Sequence, residues 1–195
     1  NLALIDQPLA LTSVVKNSDL VKGLIATYNL MQVKEKSGVE RAVLTNILAA
    51  KTLSESNKQR LYTLIAQQNS YLDAFVKSMP ADEKWKTRFD TFTQGAANQT
   101  VSKLRKTIIS GALVSEFVIE PEKWFQAATD RIGGLKEMEN DGLNHIHSDI
   151  DNIYAKALSL IVFAIILMTT VLSLTYLIFI SINLLRKQAQ EINIA

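Results

Sequence analysis

Ala157–Leu185 reads ALSLIVFAIILMTTVLSLTYLIFISINLL, 29 consecutive residues with no ionisable group other than Tyr176, bounded by Lys156 and Arg186. A helix rises ~1.5 Å per residue and the hydrocarbon core of a bilayer is ~30 Å thick, so ~20 apolar residues suffice and this run has length to spare for tilt. It predicts one transmembrane helix over residues 157–185, close to the C-terminal end of the sequence. Arg186 and Lys187 follow the run, whereas Asp149 and Asp151 precede it with only Lys156 nearby. The positive-inside rule then assigns residues 186–195 to the cytoplasm as a short stub and the preceding part to the outside. A secretory signal is excluded, because its apolar region is shorter and N-terminal.

Arg186, Lys187 and Glu191 apart, the 21 basic and 19 acidic residues all precede the span, which leaves that part nearly neutral and gives no support to nucleic-acid binding. No cysteine is present, so no disulfide scaffold or thiolate metal site exists, a usage that suits a bacterial periplasm. The chain opens on Asn1, and Leu2-Ala3-Leu4-Ile5 followed by Leu9 to Val15 reads as the exit of an earlier span within an N-terminal segment, residues 1–18. With ten residues after the span, the expectation is the input half of a transmembrane signalling protein: an extracytoplasmic domain over 19–156 in a bacterial cell membrane.

Seven glycines and three prolines leave little turn chemistry, and no stretch alternates strictly as a half-buried strand would, so the outside domain reads as helical. Ser18 or Asp19 caps a first helix through Leu20, Leu24, Tyr28 and Met31 to about Lys51. Ser54 caps a second, with Leu61, Leu64, Ile65, Tyr71, Leu72, Phe75 and Val76 on its face and Pro80 as its stop. A shorter one from about Asp82 to Gly95 carries Trp85, Phe89 and Phe92, and another opens at Asn98 or Thr100 and runs through Val101, Leu104, Ile108 and Leu113 to around Glu116 to Ile119. Glu120-Pro121-Glu122 is a strong start signal, and no proline lies between Pro121 and Arg186. One nearly continuous helix is therefore predicted from the domain into the membrane, with Gly133-Gly134 and Gly142 as points where it could bend. The fold class is all-α: an up-and-down helical bundle followed by a C-terminal transmembrane helix.

Three arginines sit where such helices should pack. Arg41 has Ser37, Gly38, Leu44 and Thr45 at helical spacing; Arg105 has Val101, Ser102, Ile108 and Ile109; Arg131 has Ala127, Ala128, Gly134 and Leu135. A guanidinium so placed needs acceptors. One solution is an interhelical ion pair with Glu35, Glu40, Glu116 or Glu137; the other is a bound oxyanion, which a planar fork of donors fits and whose charge arginine cannot lose. Small residues beside Arg41 and Arg131 leave room for the second.

Lys34-Glu35-Lys36-Ser37-Gly38-Val39-Glu40-Arg41-Ala42-Val43-Leu44 resembles the signature of the NIT family, the nitrate- and nitrite-sensing domain of bacterial receptors. Gln68 to Phe75, Val101 to Ile108, Pro121 to Phe125 and Thr129 to Ile132 agree in order and spacing, and together these segments cover roughly residues 20–145. The Trp124-Phe125 segment is similar to the chemoreceptor branch in particular. The resemblance implies an all-helical sensor whose arginines hold nitrate or nitrite between helices and whose output is a chemotaxis, kinase or cyclic-dinucleotide module. Arg41 matches the motif arginine; Arg105 and Arg131 are expected to converge on the same pocket, with Ser37 offering a hydroxyl and Gly38 space. A homodimer is the expected assembly.

The remaining features carry less. Asp141, His145, His147, Asp149 and Asp151 are spaced so that the histidines fall on different helix faces, so no metal site is expected. No cofactor is expected either. No phosphate loop is present and no histidine stands beside both a nucleophile and an orienting acid, so a binding domain is expected rather than an enzyme. The rival reading is a structural or partner-binding helical membrane protein without a small-molecule ligand, in which all three arginines pair internally.

Overall fold

The computed structural model describes residues 17–80, 83–110 and 119–192. Among them are five helices and no strand: α1 (Ser18–Ala50), α2 (Glu55–Ser78), α3 (Glu83–Gln94), α4 (Ala96–Ile109) and α5 (Pro121–Ile192). The expected exit of an earlier span, Asp82, and the continuation through Leu113 to Glu116 lie outside the described residues.

Local chemistry sets the boundaries. Asn17, one residue before the expected cap, accepts from the backbone N–H groups of Asp19 and Leu20 and opens α1. Asparagine takes the extended cap conformation and offers a fixed acceptor. Lys51 closes α1 with φ at 50°, and its N–H returns to Ile47 and Leu48. Ser54 caps α2 as expected, accepting from Asn57 N. Met79 ends α2 in an extended conformation, which the following Pro80 imposes. α4 opens at Gly95, three residues ahead of the earliest expected cap. The turn there is so tight that a Cβ at Gly95 would lie 3.1 Å from Thr91 O. Asn98 and Gln99, rather than capping their own helix, donate back to the exposed carbonyls of Thr93 and Gln94.

The residues through Ser148 form one unit and residues 149–195 a second. In the first unit, contacts give each helix its direction. Leu48 shares a cluster with Leu61, and Leu30 one with Phe75, so α1 and α2 are antiparallel. α3 and α4 together make a third leg interrupted at Gly95: Trp85 lies near Met138, and Val101 and Ile108 pack with Trp124, Ala127 and Ala128. α5 thus returns antiparallel to that leg, which completes an up-and-down bundle.

The apolar core is divided. One cluster gathers Leu44, Ile47, Leu48, Leu61, Val101, Ile108 and Trp124; the other gathers Ala26, Leu30, Val33, Phe75, Trp85, Leu135 and Met138. Each fully buried large apolar side chain contributes roughly 1.5–3 kcal/mol relative to exposure, so both layers are cohesive. Between them lie polar side chains from every leg: Ser37 and Glu40 on α1, Gln68 on α2, Asn98 on α4 with Arg105 reaching in from beside Val101, and Arg131 on α5.

α5 is one helix of 72 residues, continuous through Gly133, Gly134 and Gly142. Two of these glycines serve close approach, not bending. A Cβ at Gly134 would lie 3.1 Å from Phe92 Cδ2, and one at Gly142 would lie 2.7 Å from Thr27 Oγ1 and 2.8 Å from Trp85 Cη2. In the second unit, the large apolar side chains from Leu158 to Leu185 are exposed, and among the described residues this is the one helix long and apolar enough to cross a membrane.

Candidate functional site

The polar layer is a connected network. Arg105 lies fork to fork against Glu40, with Nε donating to Oε1 at 2.5 Å and Nη2 donating to Oε2. Its side chain leans toward the N-terminus of α4, as long helical side chains do, and so reaches below Val101 into the layer. The same Nη2 donates to Gln68 Oε1 at 2.7 Å, and Gln68 Nε2 donates to Glu40 Oε2 at 2.8 Å. Arg131 approaches from the other side: Nη1 donates to Ser37 Oγ at 2.6 Å and to Gln68 Oε1 at 2.9 Å, and Nε donates to Asn98 Oδ1 at 2.9 Å.

These groups are inside the bundle. Glu40, Gln68, Ser37 and Arg131 are all 3 % exposed or less. Within the layer, two guanidinium groups face one carboxylate, and Glu40 is committed to Arg105. Among the described residues, the acceptors of Arg131 are neutral: Ser37, Gln68 and Asn98. Burial lowers the pKa of Arg131 well below the ordinary arginine range, to about 10; the nearby Arg105 pushes the same way and Glu40 opposes both. Beside it is a cavity of about 220 Å³, lined by Arg131, Asn98, Phe92, Gly134 and Arg88 together with the exposed carboxylates of Asp130 and Glu137. Phe92 places its ring 5.8 Å from the Arg131 guanidinium, an approach that Gly134 permits.

Of the residues nominated by the sequence, Ser37, Arg105 and Arg131 are brought together. Arg41 is not in this layer. Its Nη1 donates to Thr129 Oγ1 at 2.9 Å, its guanidinium stands 4.7 Å from the ring centroid of the exposed Phe125, and its carbonyl accepts from the buried Trp124 Nε1 at 3.0 Å. It therefore marks the edge where α1 docks on the start of α5. Gly38 lies on α1 between the two places, with nothing within 4 Å of a Cβ built there. Of the nominated acids, Glu40 pairs as the ion-pair reading expects, and Glu137 is exposed at the cavity. The buried acid of α5 is instead Glu139, held by Lys34 and Lys136. Glu116 lies outside the described residues. Among the described residues, no group of His, Asp and Glu is placed to hold a metal ion.

Two residues of the network were not nominated, Gln68 and Asn98. Gln68 had a signal: it occupies the same stripe as Leu61, Leu64 and Phe75, a polar residue at a core position like the arginines themselves. Asn98 had none, since its position depends on the break at Gly95.

A family model described as nitrate and nitrite sensing, NIT, matches residues 1–147. The chain belongs to the NIT family. A NIT domain is a nitrate- and nitrite-sensing module of a receptor. No curated protein and no solved structure matches the chain.

Proposed function

We propose that this NIT domain binds nitrate or nitrite in the polar layer, with Arg131 as the principal cation, Ser37 and Asn98 as neighbouring polar groups and Arg105 as the second charge. The supporting observation is the imbalance around Arg131: a buried guanidinium without its own carboxylate, next to a cavity. A buried cation lacking a counter-ion is costly, and a small oxyanion supplies both the charge and acceptors in the plane of the fork. Arg41, with Gly38 beside it, offers a second possible seat at the α1–α5 edge.

The rest of the reading follows from α5. It carries Arg131 near one end and the apolar run of 157–185 near the other, so a ligand that favours one arrangement of the bundle biases the element that enters the membrane. The proposed organisation is a sensor domain over residues 19–156 outside a bacterial cell membrane, a span over 157–185 and a cytoplasmic stub over 186–195, feeding a chemotaxis-type output. Ile150 and Tyr154, four residues apart on α5 and both exposed, support a homodimer seam along that part of the helix.

The Arg105–Glu40 pair favours a second reading, in which the layer is a purely structural ion network. Titration calorimetry with nitrate and nitrite on the detergent-solubilised chain separates the two. Binding lost in Arg131→Gln and kept in Arg41→Gln places the anion in the core, and the reverse places it at the edge. No heat from either anion establishes the structural reading.

A further inference from the structure

A second cavity, of about 250 Å³, lies between α3 and α5 and belongs to no part of the network above. Its walls include Trp85, Arg88, Asp141, Asn144, His145 and Ser148. Arg88 Nε lies 2.8 Å from Asp141 Oδ2, near enough for charge attraction. The N–H is not directed along that line, however, and the buried Oδ2 has no hydrogen-bond partner. The carboxylate is thus not saturated by donors, and the Asp141 side chain as a whole is about a third exposed, so it can still accept from a ligand that brings a donor. Arg88, about half exposed, stands beside it with a fork of further donors. Trp85 gives the cavity an apolar wall, with His145 edge-on at 6.0 Å between ring centroids.

We infer that this cavity is a second ligand site, for a small zwitterion of the α-amino-acid class, with the ligand carboxylate on Arg88 and its ammonium on Asp141. A cation and an anion side by side, incompletely engaged with each other, complement a molecule that carries an ammonium and a carboxylate on one carbon. Nitrate and simple carboxylates have no donor for Asp141, and a simple amine has no acceptor for Arg88. At ~30 Å³ per water in the liquid, the space corresponds to about eight water molecules, which suits an amino acid with a short side chain. Arg88 lines both this cavity and the one beside Arg131, so Asp141 is the residue that tests this site separately.

The experiment is titration calorimetry on the detergent-solubilised chain with glycine, L-alanine, L-serine and L-aspartate, and with propionate and ethylamine as single-charge controls. At least one amino acid should bind, and both controls should bind about tenfold more weakly or worse, each lacking one charge-assisted contact. Asp141→Asn should weaken amino-acid binding by a similar factor, and Asp141→Glu, which keeps the charge, should retain more of it. Failure of all four amino acids to bind at millimolar concentration would overturn the assignment, as would equal affinity for L-alanine and propionate on the unmodified chain, a comparison that requires no variant to fold. Nitrate titrations run in parallel report on the other cavity independently.

Discussion

Arg131 and Gln68 meet across α5 and α2 at 2.9 Å, in a layer of the bundle where polar side chains stand between two apolar clusters. The amide of Gln68 is the hub: its oxygen takes both arginines and its nitrogen serves Glu40. An amide does this because it is donor and acceptor at once and carries no charge. Gln68→Glu supplies the missing negative charge between the two guanidinium groups. The expected outcome is a folded protein whose nitrate affinity falls by about tenfold or more, read by calorimetry. Gln68→Leu leaves several buried groups unpaired and should cost ~1–3 kcal/mol in urea unfolding.

Glu40 and Arg105 form a bidentate pair whose side chains are 2 % and 13 % exposed. Removing one partner strands the other's charge, so Glu40→Gln should destabilise the domain by roughly 3–5 kcal/mol. The double variant Glu40→Leu/Arg105→Leu should cost less than Glu40→Gln, since it leaves one guanidinium in the layer, Arg131, where the single variant leaves two. Urea denaturation of the three proteins decides it, and a double variant as damaged as the single would show that the pair does more than neutralise itself.

The glycines of α5 make a matched test of packing. At Gly142 an added methyl meets Thr27 Oγ1 and Trp85 Cη2 at under 3 Å, while at Gly133 it meets nothing within 4 Å. Gly142→Ala should therefore destabilise by ~1–3 kcal/mol through overpacking, and Gly133→Ala should stabilise by ~0.5–1 kcal/mol through helix propensity. Thermal melts of opposite sign are the expected result.

How far the fold could be read from sequence varied with the physics behind each feature. The apolar run, the Glu120-Pro121-Glu122 start and the Ser54 cap are local signals, and all three appear where expected. The end of α3 near Gly95 appears where expected, but α4 starts earlier than expected: Asn98 reads as a cap by type, whereas its amide serves the carbonyl end of the preceding helix and the Arg131 fork. The anomaly of Arg105 and Arg131 on packing faces was visible in their neighbours, because helical spacing alone exposes it. That Arg41 would part from them was not visible. Ser37 and Arg41 are four apart on one stripe, and only the length and reach of the arginine side chain carry its charge outward to Thr129 and Phe125. The two cavities depend on side-chain placement between helices, which periodicity does not encode.

Arg131 also sets a pH dependence. Its pKa in the folded protein is lowered by burial to about 10, so below about 10 both the folded and unfolded chains carry the proton and the fold bears the cost of a buried cation. From about 10 up to the ordinary arginine range the unfolded chain binds more protons than the native one, and this group's contribution to stability rises with pH. A bound anion acts in the opposite sense, because it favours the charged form. Nitrate affinity should therefore be flat across the neutral range and fall as pH passes about 10. Arg131→Lys sharpens the test: an ammonium starts from a lower pKa than a guanidinium and suffers the same burial, so the fall should move well toward neutrality. Calorimetry across a pH series on both proteins checks this. A midpoint near neutrality in the unmodified chain, or no difference between arginine and lysine, would mean that the anion is held by some group other than Arg131.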